Sequence, residues 1–166
     1  MLKIAHTVRE LDITQLTAVY AQSNQQRAEQ GYPHLSDYDR SVRVQQDMYN
    51  DLLSFFEQPD SVYALWLVDG NYVSAMRVEN FRDGVIVTGL ETAPDHRRQG
   101  YATMLLDAAV NWLSDFGVSK IYSHVEKSNK ASLYVHERCG FEVLCDYAKL
   151  LDDTVTIAYA TLCKAI

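Results

Sequence analysis

The chain of 166 residues is 48% hydrophobic and 22% charged, and it carries a formal net charge of −7 at pH 7. This length favours one domain with one core, so we predict a single domain over residues 1–166. The acidic balance argues against nucleic-acid binding, which needs a basic face, and no apolar run reaches the ~20 residues of a membrane-spanning helix.

The first half of the chain is predicted to form a strand, two helices and three further strands. Apolar residues at helical spacing predict a helix over residues 10–29, and a segment containing glycine and proline at 31–34 ends it. Residues 69–71 and 82–84 each place a glycine between apolar runs, which predicts two hairpin turns. The predicted strands are residues 2–7, 62–68, 72–81 and 85–92, and the second helix is residues 38–56.

The second half alternates helices and strands. A predicted helix over residues 101–116 has its apolar residues on one face, and Gly117 follows where a capping glycine belongs. Ser128 and Asn129 form a good N-cap for a helix that ends near Gly140. This order of elements predicts an α/β (α+β) fold with a mixed, mostly antiparallel sheet. The remaining predicted strands are residues 119–125, 141–150 and 154–162.

Residues 92–102, with the sequence TAPDHRRQGYA, join a predicted strand to a predicted helix. Backbone N–H groups at a helix N-terminus lack internal partners, and the helix dipole adds partial positive charge, so a pyrophosphate can bind there. Gly100 would allow close approach, and Arg97 and Arg98 can pair with phosphate. A solvated turn with two surface arginines is the alternative interpretation. The segment has neither the Gly-Lys-Ser/Thr of a P-loop nor the GxGxxG of a dinucleotide fold.

The segment Arg97-x-x-Gly100-x-Ala102 matches the pattern Arg/Gln-x-x-Gly-x-Gly/Ala of the GNAT superfamily of N-acetyltransferases. The match continues in order through the next helix and strand to Asn129 and to the pair Gly140-Phe141. The chain therefore resembles this superfamily. The resemblance implies a sheet of about six to seven strands, flanked by about four helices and splayed between its fourth and fifth strands.

The resemblance also implies acetyl-CoA, or another acyl-CoA, as the acyl donor, and it implies no metal. Backbone amides of the loop would hold the pyrophosphate, and the fourth strand would pair with the pantetheine arm. Asn129 would contact the donor, and it can cap its helix at the same time. The implied donor-binding residues are Leu90, Thr92, Arg97, Arg98, Gln99, Gly100, Tyr101, Ala102 and Asn129.

Many family members place a tyrosine on the last helix, where it assists the departing thiolate. Counting from Asn129 and from the Gly-Phe pair, the matching position is His136 and not Tyr134. His136 would then donate a proton or a hydrogen bond to sulfur, and histidine titrates near neutral pH. Tyr134 is the alternative; it lies about 200° around an ideal helix from His136. A third interpretation gives His136 no role at the site: a histidine near the end of a helix interacts favourably with the helix dipole.

The general base is less well indicated. Where other family members carry Glu or His on the fourth strand, this chain has Ile86 and Thr88, and neither can act as a base at neutral pH. Glu91, Glu79 and His124 are the candidates on that strand and its neighbours. A water chain, or an amine that is already neutral, is equally compatible with the sequence.

Two functions follow from the resemblance. The first is an N-acyltransferase that moves an acetyl group to a primary amine of a small molecule or peptide by direct attack. The second is a non-catalytic acyl-CoA-binding or interaction module on the same fold. The absence of an acid at Ile86 and Thr88 favours the second, whereas the loop and Asn129 fit both.

The partners are predicted from composition and from the resemblance. Residues 29–60 hold seven acidic residues against Arg40 and Arg43, a balance that would attract a cation but is also typical of a solvated helix pair. The family's acceptor side would include Tyr32, His34, Asp37, Tyr38 and Asp39. We expect no nucleic-acid or membrane partner, and a homodimer is compatible with the family.

The cysteines bear on the compartment and on covalent chemistry. Cys139, Cys145 and Cys163 form no CxxC pair, so neither a disulfide framework nor a zinc site is predicted, and a cytoplasmic location fits best. Direct attack needs no covalent enzyme intermediate, so none of the three is predicted to be a nucleophile.

Overall fold

The computed structural model describes residues 1–150 and 152–166, and these contain five α-helices and nine strands. The helices are α1 (Ile13–Val19), α2 (Ala21–Gly31), α3 (Asp37–Phe56), α4 (Tyr101–Asp115) and α5 (Lys130–Arg138). The strands are β1 (Leu2–Ala5), β2 (Val62–Val68), β3 (Asn71–Phe81), β4 (Gly84–Thr92), β5 (Lys120–Glu126), β6 (Glu142–Cys145), β7 (Ala148–Lys149), β8 (Val155–Thr156) and β9 (Tyr159–Ala165). Two 3₁₀ turns are Val8–Glu10 and Pro94–His96.

Seven of the strands form one mixed sheet in the order β1-β2-β3-β4-β5-β9-β6. Every neighbouring pair in it is antiparallel except β4 and β5, which run parallel. That parallel pairing extends only from Val85 with Ile121 to Val87 with Ser123, and beyond it the two strands are unpaired. The predicted mixed sheet, mostly antiparallel and splayed between its fourth and fifth strands, is confirmed.

The helices cover the sheet on two sides, and each side has its own apolar core. Leu105 and Leu106 of α4 pack with Met76 and Val87 of the sheet on one face, together with Phe141 after α5. On the other face, residues of α1 and α3 pack against β2 and β3, which the alternation of side chains along each strand requires. The second core includes Leu16, Val19, Met48, Leu52, Phe55, Tyr63 and Leu65.

The predicted helix over residues 10–29 is wrong in its continuity. The chain forms a 3₁₀ turn, then α1, then α2, and the two helices meet at Tyr20, which has φ −91° and ψ 16°. Tyr20 is buried, and its hydroxyl donates a hydrogen bond of 2.8 Å to the carbonyl of Gly89 in β4. A tertiary contact therefore breaks a pattern that looks continuous in sequence.

The two predicted C-terminal strands are also wrong in their extents, because the chain leaves the main sheet after β6. Ala148 pairs with Thr156 in a separate hairpin of β7 and β8 before β9 returns to the sheet. Side-chain bonds hold this hairpin: Thr161 Oγ1 donates to the Tyr147 carbonyl at 2.8 Å, and His124 Nε2 lies 3.0 Å from the Lys149 carbonyl. A local pattern of apolar residues does not reveal such bonds.

Within the described residues, no helix combines the length and the apolar character that crossing a membrane requires.

Candidate active site

A bulge in β4 lies where the sheet splays. Ala75 pairs with Glu91 and Arg77 pairs with Thr88, so β4 has one residue more than β3 over this stretch. Gly89 takes a left-handed φ of +59°, which favours glycine, and its carbonyl accepts the bond from Tyr20. The bulge bends β4 away from β5 and leaves one edge of the strand free beyond Val87.

The start of α4 presents backbone amides beside this gap. Gly100 caps the helix with φ +83°, and it has no side chain that could bond the first N–H groups. A Cβ built on Gly100 would meet no atom within 4 Å, so the space beside it is open. Free amides and the positive end of the dipole at a 15-residue helix suit an anionic group.

The two arginines of the loop differ in their contacts. Arg97 is held by the protein: its Nε donates to the Thr92 carbonyl at 3.1 Å, and its guanidinium donates to Gln22 of α2. Arg98 is exposed, has φ +60°, and forms no salt bridge with any described residue. Arg97 thus fixes the loop, while the charge of Arg98 is free for a ligand.

A cavity of about 1170 Å³, which we call the splay cavity, lies between β4, β5, the start of α4 and α5. It brings together eight of the nine predicted donor-binding residues. Gln99 does not line it, and its side-chain amide donates to the Asp95 carbonyl at 3.4 Å. Asn129 borders the cavity and also caps α5, since its Oδ1 accepts from the amide of Ser132 at 3.0 Å. The eight residues are Leu90, Thr92, Arg97, Arg98, Gly100, Tyr101, Ala102 and Asn129.

Both candidate acids of α5, His136 and Tyr134, border the splay cavity, but they differ in burial and in hydrogen bonding. His136 is only 2% exposed, and its Nδ1 lies 2.8 Å from the carbonyl of Ser132. Because a carbonyl can only accept, Nδ1 carries the hydrogen and Nε2 of the neutral ring is bare. Burial lowers the pKa of His136, and Nε2 has no hydrogen-bond partner among the described residues. Tyr134 is 57% exposed, and a tyrosine hydroxyl can donate a hydrogen bond.

Of the three candidate bases, Glu91 and His124 border the splay cavity, whereas Glu79 does not. Glu91 borders the cavity, and burial raises its pKa while a bond from Ser23 opposes that shift. Glu79, on β3, accepts a hydrogen bond of 3.3 Å from Thr88, the first residue of β4 beyond the parallel pairing. His124 borders the cavity from β5, but both of its ring nitrogens contact protein oxygens.

The chain also matches a known protein family over most of its length. A family model described as "Acetyltransferase (GNAT) family" matches residues 16–141, well over half of the chain. The chain belongs to the GNAT acetyltransferase family. A curated GNAT relative, the GCN5-related N-acetyltransferase 6, chloroplastic, of Arabidopsis thaliana, is 31% identical over 77 residues. That alignment covers 45% of this GNAT chain and 27% of the relative, so the chain spans about a quarter of the relative's length.

Solved GNAT structures share the fold along the whole chain. The PaiA N-acetyltransferase from Thermoplasma acidophilum, in complex with coenzyme A, has a TM-score of 0.66 at 13% identity, covering 100% of this chain and 99% of that chain. The ribosomal-protein-S18-alanine N-acetyltransferase from Escherichia coli has a TM-score of 0.61 at 18% identity, covering 100% of this chain and 94% of that chain. Identities this low indicate the shared fold alone.

Sequence reasoning missed several residues at this GNAT site. Gly89 had a usable signal, because a glycine inside a strand pattern often marks a bulge. Tyr20, whose hydroxyl holds the bulge, had none: it lies 69 residues away and fits an ordinary apolar helix stripe. Gln22 and Ser23 of α2 also border the splay cavity and carried no recognisable spacing.

The acidic residues of the predicted acceptor side are mostly used within their own helix pair. Asp37 pairs with Arg40 at 2.5 Å, and Asp39 bonds the N-cap Ser36. Asp47 accepts from Tyr32. This segment of the GNAT chain is therefore a solvated helix pair in its contacts, which was one of the two interpretations.

Proposed function

We propose that this protein transfers an acetyl group from acetyl-CoA to the primary amine of a small molecule or peptide. The observation that carries the proposal is the splay cavity, which joins the Gly100-capped helix start to the end of the parallel pairing near Thr88. The amine nitrogen attacks the thioester carbon, the C–N bond forms and the C–S bond breaks. The thiolate leaves with the bonding electron pair, and a base takes the proton from nitrogen.

The residues present fit acetyl-CoA as the donor. The amides of the first turn of α4 suit its pyrophosphate, and Arg98 adds a free positive charge. Beyond Val87, the backbone groups of β4 that face β5 have no strand partner, so an extended pantetheine arm can pair with them at Leu90 and Thr92. Free N–H groups at the bulge also suit a developing oxyanion on the thioester carbonyl.

Among the carboxylates, Glu79 is best positioned to act as the base. If the pyrophosphate lies at Gly100, the arm extends back along β4, and the reacting carbon lies near the bulge. Glu79 contacts Thr88 at this point. Glu91 lies farther along β4, on the Thr92 side of Gly89, where the arm would pass. We therefore assign proton abstraction to Glu79 and a supporting position to Glu91.

For the leaving group we favour Tyr134 over His136. The neutral ring of His136 uses its only hydrogen on the Ser132 carbonyl, so it has none left for sulfur. Protonation of Nε2 would supply one, but burial lowers the pKa of this ring. The hydroxyl of Tyr134 borders the same cavity and can donate its hydrogen to sulfur. His136 then acts through the packing of its ring against Phe141, at 5.2 Å between centroids.

A thiol-release assay with acetyl-CoA and a broad panel of primary amines tests this function. We expect release that depends on the amine, and we expect Glu79→Gln to lower kcat by about 100-fold, the usual effect of losing a positioned base. Glu57→Gln, an exposed change at the end of α3, is the matched control and should leave the rate unchanged. Glu91→Gln should have the smaller effect of the two site variants.

The same assay addresses the non-catalytic alternative. Calorimetric binding of acetyl-CoA without thiol release for any amine would identify an acyl-CoA-binding module. A large loss of turnover in Glu91→Gln with none in Glu79→Gln would move the base to Glu91.

A further inference from the structure

A second cavity, of about 620 Å³, lies on the α3 side of β3, and we call it the Arg77 cavity. Arg77 and Glu79 line it from β3, since residues two apart on a strand share a face. Ser61 lines it from the start of β2, and Asp51 and Phe55 line it from α3. Of these residues, only Glu79 was predicted from the sequence to have a role, as a candidate base on the strand beside β4.

Arg77 is a half-buried cation without an ion pair. Its Nε donates to the Tyr63 hydroxyl at 2.8 Å, and its guanidinium carbon lies 5.2 Å from the centre of the Phe55 ring. Within the described residues, no carboxylate oxygen lies within the 4.0 Å of a salt bridge. A guanidinium offers five N–H donors in a planar fork that matches a carboxylate, so this one has donors to spare.

Ser61 supplies a second, independent sign of a ligand. It is 5% exposed, and its hydroxyl oxygen has no hydrogen-bond partner among the described residues. An unsatisfied buried hydroxyl is energetically unfavourable. A group that binds in the Arg77 cavity can satisfy this hydroxyl and the spare donors of Arg77 together.

The Arg77 cavity meets the splay cavity through one contact. Glu79 lines the Arg77 cavity, and its carboxylate accepts a hydrogen bond from Thr88, which lines the splay cavity. Arg77 is also the cross-strand partner of Thr88. A molecule in the Arg77 cavity would therefore lie beside a cation and a carboxylate that both neighbour Thr88, Arg77 by strand pairing and Glu79 by its hydrogen bond.

The remaining acid of the cavity is partly engaged elsewhere. Asp51 is exposed at the rim, and its Oδ2 lies 3.8 Å from Arg27 Nη1. The lining is thus not simply acidic, as a site for a polycation would be. One guanidinium and one carboxylate, neither in an ion pair with a described residue, lie on one face of β3 and complement a ligand with both charges.

We infer that the Arg77 cavity binds the carboxylate of an acceptor that carries both an amine and a carboxylate, of the class of the α-amino acids. Arg77 and Ser61 hold the carboxylate, and Glu79 faces the ammonium and removes its proton. The inference rests on the proposed acetyl transfer, because the amine must reach the thioester at the bulge.

The test compares acceptors that differ only in the carboxylate: an α-amino acid, its carboxamide and the amine without the carboxyl group. In thiol release with acetyl-CoA, the wild type should prefer the amino acid in kcat/KM. Arg77→Met keeps much of the side-chain volume and removes the charge, and it should reduce that preference by about 30-fold, the range for a lost charge-assisted bond. Arg77→Lys should restore part of it.

Arg43→Met is the matched control. Arg43 also lies over a tyrosine ring, at 5.8 Å, and its Nε donates to that hydroxyl, but it is exposed and lies outside the Arg77 cavity. Its loss should leave the preference unchanged. Equal loss in both arginine variants, or a wild type that prefers the amine without a carboxyl group, overturns the inference while acetyl transfer stands.

Ser61→Ala separates ligand binding from structural support. Because the hydroxyl has no partner among the described residues, the melting temperature should stay the same or rise, while KM for the amino acid increases several-fold. A lower melting temperature with unchanged KM would make Ser61 structural and count against the inference.

A second experiment measures binding and does not depend on turnover. Calorimetry should detect the N-acetylated amino acid bound to the wild type, and much weaker binding to Arg77→Met or of the carboxamide. If thiol release fails with every amine but this selective binding is found, the proposed acetyl transfer is wrong and the carboxylate site stands. If the wild type and Arg77→Met bind the N-acetylated amino acid and the carboxamide equally well, the inference fails.

Discussion

The two cavities on either side of Thr88 are built in different ways. In the splay cavity, the proposed donor site uses the backbone of one nearly continuous stretch, from the bulge at Gly89 to the first turn of α4, although α2, β5 and α5 also line the cavity. The Arg77 cavity is built from side chains that come from α3, from the start of β2 and from β3. A site made of backbone needs glycines at fixed spacing, whereas a site made of side chains needs only that distant segments pack together.

The contrast predicts that backbone changes will affect the donor site most. Gly100→Val should abolish acetyl-CoA binding, because Gly100 has φ +83° and its open space is where the pyrophosphate would lie. Calorimetry measures this directly, with circular dichroism to confirm that the variant is folded.

Gly117→Val is the control for backbone strain. Gly117 lies at the other end of α4, with φ +79° and equally open space, so each substitution should cost roughly 1–2 kcal/mol of strain. If both variants bind acetyl-CoA equally well, the loop does not hold the pyrophosphate.

The next largest effect concerns Tyr134, a side chain that borders the splay cavity. Tyr134→Phe should lower kcat by about 30-fold, since it removes a charge-assisted hydrogen bond to the thiolate, with little change in donor affinity. His136→Gln should change kcat less. The reverse ranking in steady-state kinetics would restore His136 as the acid. If neither variant matters, the thiolate leaves unaided, which a thiol pKa of about 8.5 permits.

His136 also predicts a pH dependence of stability. Burial lowers its pKa in the folded state below the ordinary 6.5, so the folded protein binds this proton less readily than the unfolded chain. Its contribution is complete above pH 6.5 and is lost as pH falls through the folded-state pKa. Urea unfolding at several pH values should show this loss in the wild type and a smaller one in His136→Gln.

The smallest expected effect is that of the loop charges. Arg98→Ala should weaken acetyl-CoA binding by about two- to fivefold and reduce its dependence on salt, since exposed ion pairs are weak and screened. Arg97→Ala should keep the salt dependence but weaken binding, because Arg97 holds the loop to Thr92 and Gln22. Identical salt curves for wild type and Arg98→Ala would make Arg98 a surface charge only.

The features predicted from the sequence are those set by local sequence, and the features missed are those set by contacts between distant residues. The strands and the loop up to Ala102 were predicted because apolar periodicity and glycine placement are local. The break at Tyr20 and the hairpin after Cys145 were not, because bonds between distant residues create them. His136 was located correctly on its helix, but its tautomer depends on the Ser132 carbonyl, which spacing alone does not indicate. Arg77 looks like any strand arginine until Phe55 and Tyr63 surround it.

The short parallel pairing also divides the sheet into two parts, of four strands and of three. Three residue pairs, from Val85 with Ile121 to Val87 with Ser123, join β4 to β5, and the apolar core against α4 spans both sides. Because so short a ladder couples them weakly, we expect the four strands on one side and the three on the other to exchange their amides as separate units. In hydrogen exchange, an arm paired along β4 would protect the amides that face the gap and make the two units open together.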